Sequence, residues 1–382
     1  MTGRARGGFA RSLFFHPPFP IMSAPLGGRA RMPITANQVS FARIVLLPIP
    51  VYLLYRGPAG QWAAVVLFVF LGITDYVDGY LARRYGSTEF GKFLDPISDK
   101  IYMAAMFLPL VHLGVFAFWP VLLVFVREFL VTDLRTIYNR TGASFTTSTM
   151  GKYKTNVQVF GVVIALMNGL LYGTLGMPLI VAGIVIPLFF LAVFRYARTG
   201  RIHPYILLFL VLFPPLLVAE TELSVAGVNL FVALVILFFT LYSGAEYFLG
   251  GWTQFRRYIA EAPRRRTLLF LAQGVLVPAV FCALMARGVR PVWAPVVIVA
   301  LEFVCGGLDN FLTMHGKVFS YRWKVAELVG MVGPALAALV FYRPSLDGLL
   351  YFSVAVTIAY ATVYVFIHRA DLAIGSRPTP AA

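Results

Sequence analysis

The sequence is poor in charged residues, which make up 13% of its 382 residues, whereas 59% are hydrophobic. A soluble globular domain carries roughly 25% charged residues, so this composition excludes an ordinary soluble protein. The mean hydropathy of +0.80 and the long apolar stretches instead predict an integral membrane protein of the all-α class.

Acidic residues are the scarcer charge: 16 Asp and Glu stand against 32 Lys and Arg, which gives a net charge of +16. Nucleic-acid-binding proteins share such an excess, but they need a basic face on a soluble domain, and this sequence predicts none. We therefore expect no nucleic acid partner. Basic residues between apolar stretches are typical of cytoplasmic loops and of contact with anionic membrane lipids.

Cysteine is almost absent. Cys282 and Cys305 both lie inside apolar stretches, so they provide neither a disulfide framework nor a metal-binding spacing. We expect both to be small buried hydrophobic residues.

Apolar stretches of about 17 to 25 residues predict about twelve transmembrane helices. They lie near 38–56, 61–84, 98–117, 118–138, 152–173, 177–195, 203–219, 227–249, 266–287, 293–314, 324–342 and 348–368. When the loops are sorted alternately, nearly all Lys and Arg fall in one set. This asymmetry predicts a multi-pass protein of a bacterial-type inner membrane, with both termini and the segment 75–100 on the cytoplasmic side.

The charged link at 254–266 predicts a boundary between two membrane domains. The predicted organisation is a disordered basic leader (1–31), a first domain (32–262) with inserted helices at about 176–224, a four-helix accessory domain (263–370) and a disordered tail (371–382). We expect the first domain to suffice for any catalysis.

Four aspartates occur in "DYVDGYLARRYGSTEFGKFLDPISDK" (75–100). Asp75 and Asp78 share one helical face, and Asp95 and Asp99 share a face of the next helix. Four converging carboxylates repel one another unless cations bind between them, and such oxygen ligands suit Mg²⁺ or Mn²⁺. Two such ions could hold a phosphoryl group. A merely solvated loop does not explain this pattern.

Small residues and an arginine accompany the acids. Gly79 and Ala82 leave the first helix face bare, and Gly91 does the same on the second. Arg83 can grip phosphate oxygens in a fork. Together with the acids, these residues predict a site for a nucleotide diphosphate.

The segment resembles the signature of the CDP-alcohol phosphatidyltransferases, D-x2-D-G-x2-A-R-x8-G-x3-D-x3-D. All eight fixed residues are present, although seven residues rather than eight separate Arg83 from Gly91. The resemblance implies two Mg²⁺ or Mn²⁺ ions on Asp75, Asp78, Asp95 and Asp99, and a CDP pocket lined by Gly79, Ala82, Arg83 and Gly91. It also implies that Asp99 is the general base for attack of an alcohol on CDP-diacylglycerol, and that the enzyme forms a homodimer.

Four further segments resemble the phosphatidylglycerophosphate synthase branch of that family. They are "ITANQVSFARIVLLPI" (34–49), with Asn37 and Arg43, "VREFLVTDLR" (126–135), "GKYKTNVQ" (151–158) and "TLYSGAEYF" (240–248). This resemblance implies transfer of the phosphatidyl group to glycerol 3-phosphate with release of CMP, a step of phospholipid biosynthesis. An acceptor that carries a phosphate needs cations, and the candidates are Arg127, Arg135, Lys152 and Lys154.

Alternatives remain open. A CMP-forming cardiolipin synthase shares much of this pattern, and an inositol-phosphate-using enzyme is a second relative. A membrane transporter would fit twelve spans, but such proteins often show internal repeats, and we find no convincing repeat here. Glu302, Asp309 and Glu327 lie within predicted spans; intramembrane acids are functional candidates, but helix packing around satisfied polar groups explains them as well.

Overall fold

The computed structural model describes residues 35–85, 89–140, 149–200, 202, 204–261, 264–316, 321–341 and 347–369. In these residues fourteen helices occur and no strand, which confirms the predicted all-α class. The helices are α1 (Ala36–Leu46), α2 (Pro48–Leu53), α3 (Gly57–Tyr85), α4 (Glu89–His112), α5 (Phe118–Arg140), α6 (Thr149–Leu171), α7 (Gly176–Thr199), α8 (Pro204–Glu222), α9 (Val225–Gly250), α10 (Trp252–Glu261), α11 (Arg264–Ala286), α12 (Trp293–Met314), α13 (Tyr321–Phe341) and α14 (Asp347–Ile367). The predicted leader and tail lie outside the described residues.

Each predicted span overlaps a helix, and α1 and α2 together form the first span. In the described part of the chain, eight spans are long and apolar enough to cross a membrane, α1 and α2 counting as one (36–53). Helices α8 and α11 contain shorter apolar stretches, 206–216 and 271–286. Three helices remain: α10 is short, and α4 and α5 carry the charged residues of the candidate site.

The charged link at 254–266 contains a helix that the hydropathy pattern does not reveal. Helix α10 packs its apolar side onto the end of α5, where Tyr258 joins a buried cluster with Leu134, Ile137 and Tyr138. Its arginines Arg256 and Arg257 are exposed. Ten residues are too few to cross a bilayer, so α10 connects the two groups of membrane helices.

Glycines allow the helices to approach closely. A methyl group at Gly161 would lie 2.6 Å from the Ile236 side chain, so α6 and α9 are in direct contact. Gly307 of α12 meets Ile97 of α4 in the same way, at 2.3 Å. Small residues at helix contacts are typical of membrane proteins, in which close packing replaces the hydrophobic effect between helices.

The last four helices lie directly against the helices that carry the aspartates and the predicted acceptor-site cations. Helix α12 contacts both α4 and α5, and α11 contacts the same two helices. Phe303 of α12 stacks on Phe129 of α5, with ring centroids 4.4 Å apart. The domain boundary near residue 262 therefore remains a prediction. The helices on its two sides pack against each other.

Candidate active site

Helix α1 brings an arginine between the two aspartate pairs. Its start is fixed by a capping box, in which the Gln38 side chain accepts a hydrogen bond from the Thr35 backbone N–H and the Thr35 side chain accepts one from the Gln38 N–H. Ser40 and Arg43 are three residues apart and therefore share a face, which is buried between α3 and α4. The capping sequence thus sets the position from which Arg43 reaches the acids.

Arg43 contacts three of the four aspartates. Its Nη2 lies 2.6 Å from Asp78 Oδ2 and 2.8 Å from Asp75 Oδ1, and its Nη1 lies 3.0 Å from Asp99 Oδ1. Ser40 Oγ donates a further hydrogen bond of 2.7 Å to Asp78 Oδ2. One guanidinium of 2% exposure therefore joins the acids of α3 to those of α4.

Asp75, Asp95 and Asp99 each offer a carboxylate oxygen, and these oxygens lie within 4.8 Å of one another. Asp78 is buried, and its Oδ1 makes no hydrogen bond to any described residue. Four carboxylates facing one guanidinium leave an excess of three negative charges in this group. Oxygen ligands with an uncompensated negative charge suit divalent cations such as Mg²⁺ or Mn²⁺, so the residues present fit the predicted metal.

The predicted nucleotide-binding residues lie on the same two helices. Gly79 and Ala82 are partly buried on α3, within two turns of Asp75, and Gly91 lies one turn before Asp95 on α4. The side chain of Arg83 and the shortened loop 86–88 lie outside the described residues. The described backbone thus presents small residues next to the acidic group.

A second charged group forms on α5, α6 and α9. The Glu128 carboxylate lies 3.0 Å from Arg127 Nη1 and 2.7 Å from Lys154 Nζ. Arg127 also donates a 2.9 Å hydrogen bond to Ser243 Oγ. A methyl group at Gly244 would lie 2.9 Å from the Arg127 side chain, so the glycine makes room for this arginine.

The other predicted cations are distributed as follows. Arg135 lies 5.5 Å from the centre of the Tyr247 ring, and the Lys152 side chain lies outside the described part. Lys100, which immediately follows Asp99, reaches α5, where its Nζ donates to the hydroxyl of Thr132, one turn after Glu128. We call Lys100, Arg127, Glu128, Arg135 and Lys154 the cation group.

Sequence reasoning missed several of these contacts. It noted Arg43 only as part of a resemblance, although an arginine within an apolar helix requires a counter-charge. Lys100 and Glu128 were likewise given no role. Both are ionisable residues within α4 and α5, and the same requirement would have drawn attention to them.

A third charged group lies within the last four helices. Lys324 of α13 is 2.9 Å from Glu327, 3.2 Å from Asp309 and 3.9 Å from Glu302. Gln273 of α11 donates to Glu302, and Tyr364 of α14 donates to Asp309. We call these six residues the C-terminal charge cluster; it connects α11, α12, α13 and α14.

The sequence pattern of one family, CDP-alcohol phosphatidyltransferase, matches residues 33–194. This range contains all four aspartates, the cation group and most of α7. It therefore extends into the first of the two helices that we predicted to be an insertion. No solved structure matches the chain.

Curated relatives match between 35% and 42% of the chain. A Bacillus subtilis protein named CDP-diacylglycerol–glycerol-3-phosphate 3-phosphatidyltransferase is 32% identical over 171 residues, which is 41% of this chain and 89% of the relative. A Rickettsia bellii protein of the same name is 37% identical over 134 residues, or 35% of this chain and 74% of the relative. A Mycobacterium tuberculosis protein named probable phosphatidylglycerophosphate synthase is 38% identical over 166 residues, or 42% of this chain and 76% of the relative.

Proposed function

The chain belongs to the CDP-alcohol phosphatidyltransferase family, and we propose that it transfers the phosphatidyl group of CDP-diacylglycerol to glycerol 3-phosphate. It is a transferase of phospholipid biosynthesis and a multi-pass membrane protein. The proposed products are phosphatidylglycerophosphate and CMP. The names of the relatives support this choice of acceptor.

The observation that carries the proposal is the adjacency of the acidic group and the cation group. Asp99 belongs to the acidic group, where it lies 3.0 Å from Arg43, and Lys100, the next residue of α4, belongs to the cation group. A phosphorylated acceptor held by cations would therefore have its hydroxyl near the carboxylates. An acceptor without a phosphate monoester, such as phosphatidylglycerol, has less need of a lysine and arginines on this side of the site.

The proposed chemistry places Asp99 as general base. Asp99 accepts the proton of the acceptor hydroxyl, whose oxygen forms a bond to the β-phosphorus of CDP-diacylglycerol. The bond from that phosphorus to the bridging oxygen breaks, and CMP leaves with the electron pair. Arg43 Nη1, 3.0 Å from Asp99 Oδ1, would hold this carboxylate in position.

We propose that Asp75, Asp78, Asp95 and Asp99 hold two Mg²⁺ or Mn²⁺ ions. When bound, such ions neutralise charge on the diphosphate and on the leaving CMP. Gly79, Ala82 and Gly91 would allow the cytidine nucleotide to approach the helix backbones, and Arg83 would hold a phosphate. Arg127, Arg135, Lys152 and Lys154 would bind the phosphate of the acceptor.

The acceptor assay tests the proposal directly. Purified full-length protein receives CDP-diacylglycerol, Mg²⁺ and radiolabelled glycerol 3-phosphate, and we expect labelled phosphatidylglycerophosphate and stoichiometric CMP, both abolished by EDTA. Parallel reactions contain phosphatidylglycerol or inositol phosphate in place of glycerol 3-phosphate. Consumption of phosphatidylglycerol alone would identify a cardiolipin-forming enzyme and contradict the proposed acceptor.

We further propose that the acidic group and both termini face the cytoplasm of a bacterial-type inner membrane and that the enzyme is a homodimer. The concentration of Lys and Arg in one set of loops supports this orientation. Because Cys282 and Cys305 are both buried, a single Arg256→Cys variant can be labelled with little background. In right-side-out vesicles, a membrane-impermeant thiol reagent should not label this cysteine, because the cytoplasmic side faces the vesicle lumen. Labelling would contradict the proposed orientation. Crosslinking in the membrane tests the dimer, and a purely monomeric result would exclude it.

A further inference from the structure

Lys100 lies in the cation group without an acidic partner of its own. Its Nζ donates to Thr132 Oγ1 and lies 5.5 Å from the centre of the Phe303 ring. Among the described residues, no carboxylate lies at ion-pair distance from Lys100. Glu128, the one acid of the cation group, is already paired with Arg127 and Lys154.

An unpaired cation within a membrane helix bundle is costly unless an anion neutralises it. In the cation group, four basic residues share the single carboxylate of Glu128, so basic residues exceed carboxylates by three. A compact dianion such as a phosphate monoester would neutralise most of this excess. The ammonium of Lys100 is therefore chemically suited to the same phosphate as Arg127 and Lys154.

The position of Lys100 depends on a residue from the last four helices. Asn310 of α12 donates a 3.2 Å hydrogen bond from Nδ2 to the carbonyl oxygen of Thr132, the residue whose hydroxyl receives Lys100. Asn310 Oδ1 accepts a 2.8 Å hydrogen bond from Thr136 Oγ1, one turn further along α5. Asn310 thus holds two consecutive turns of the helix that positions Lys100.

Close packing fixes α12 at this contact. A methyl group at Gly306 would lie 3.3 Å from Thr132 Cγ2, and one at Gly307 would lie 2.3 Å from Ile97. Phe303, one turn before Gly307, forms the wall beside the Lys100 ammonium. The region of α12 around Asn310 therefore lies within contact distance of both helices that form the site.

We propose that Lys100 is a phosphate-binding residue of the acceptor site and that Asn310 is the positioning residue that holds it there through Thr132. The last four helices then complete the active site, contrary to our expectation from sequence that residues 1–262 suffice. This inference rests on the proposed phosphorylated acceptor, since a neutral acceptor would not require a further cation.

The test compares Lys100→Met, Asn310→Ala and a control, Met314→Ala, in the purified full-length protein. Met314 is on the same helix but 63% exposed, so the control should behave as wild type. Initial rates are measured against glycerol 3-phosphate at saturating CDP-diacylglycerol. We expect KM for glycerol 3-phosphate to rise roughly tenfold in Asn310→Ala and about a hundredfold in Lys100→Met, as loss of one neutral and one charged hydrogen bond implies. The KM for CDP-diacylglycerol should not change.

A binding measurement separates this inference from the proposed function. Inorganic phosphate is titrated without substrates, and the increase in Tm is recorded for each variant. We expect the increase in wild type and Met314→Ala, a weaker one in Asn310→Ala, and none in Lys100→Met. If glycerol 3-phosphate is not the acceptor but phosphate still stabilises the protein through Lys100, the proposed acceptor fails and the anion site stands.

Two results would overturn the inference. One is a phosphate-dependent increase in Tm in Lys100→Met equal to that of wild type. The other is an Asn310→Ala variant with a lower Tm and kcat but an unchanged KM for glycerol 3-phosphate, because this pattern describes a packing residue only.

Discussion

Two regions of this molecule have nearly the same ionic composition and opposite access to solvent. In the acidic group, Arg43 contacts Asp75, Asp78 and Asp99; in the C-terminal charge cluster, Lys324 contacts three acids in the same way. The side chains of Asp75 and Asp99 are each 39% exposed. Those of Glu302, Asp309 and Glu327 are 0%, 4% and 1% exposed.

The comparison indicates that access, rather than the number of carboxylates, separates a site from a structural contact. In the acidic group, the small residues on the helix faces and the exposure of Asp75 and Asp99 fit the proposed ions and nucleotide. In the C-terminal charge cluster, Lys324, Gln273 and Tyr364 occupy the space beside the acids and connect four helices. The first arrangement suits exchange of ligands, and the second suits fixed packing.

The largest expected effect is on turnover, and only in the acidic group. Asp95→Asn replaces a carboxylate that lies with Asp75 and Asp99 by a neutral amide, and should lower kcat by at least about a hundredfold, the upper range for loss of a metal ligand's partner. Glu327→Gln makes the same chemical change in the C-terminal charge cluster and should leave the turnover of folded protein unchanged. Radiolabel transfer by equal amounts of monodisperse, detergent-purified protein measures both.

Two outcomes would contradict this contrast. A fully active Asp95→Asn variant would remove Asp95 from the proposed metal ligands. Loss of turnover in a well-folded Glu327→Gln variant would show that the C-terminal charge cluster takes part in the reaction, and that its burial does not exclude a functional role.

The next effect is on stability, and it is expected in the C-terminal charge cluster. Lys324→Met leaves Glu302, Asp309 and Glu327 buried without their cation. Breaking a buried ion pair in this way costs about 3–5 kcal/mol, so the midpoint of unfolding should fall strongly. Thermal or denaturant unfolding in detergent measures it, with Trp323→Phe, an exposed neighbour, as the control. A stability equal to that of the control would indicate that the three acids are already neutral.

Much of the fold follows from the sequence because apolar length and loop charge are local properties of a membrane helix. The predicted span 227–249, for example, corresponds to α9 at Val225–Gly250. Helix α10 is different: its apolar residues are spaced along only ten positions, and its arginines make the segment read as a linker. The contact of α12 with α4 and α5 depends on Gly306 and Gly307 fitting their neighbours, a property that no local pattern specifies.

The candidate site, like the fold, follows from the sequence only in part. The spacing of Asp75 from Asp78 and of Asp95 from Asp99 predicts which acids share a face, and the structure brings Asp75, Asp95 and Asp99 together. That Arg43 lies between the pairs depends on how α1 packs against α3 and α4, which the spacing does not specify. The coupling of Lys100 to Asn310 joins residues 210 positions apart, and only the packed helices reveal it.

The smallest expected effect is on stability and concerns a single hydrogen bond of the C-terminal charge cluster. Tyr364→Phe removes the hydroxyl that donates to Asp309 but keeps the ring, which stacks on Tyr360 with centroids 5.6 Å apart. Because Asp309 retains Lys324 at 3.2 Å, the loss should be about 1 kcal/mol of the free energy of unfolding, with unchanged KM and kcat. Tyr351→Phe, on the exposed side of the same helix, is the matched control.

If Tyr364→Phe instead raises the KM for glycerol 3-phosphate while Tm stays constant, the hydroxyl acts through Asp309 and the adjacent Asn310 on the acceptor site. The fully buried cluster would then be part of the device that positions Lys100, and access to solvent would no longer separate the two regions.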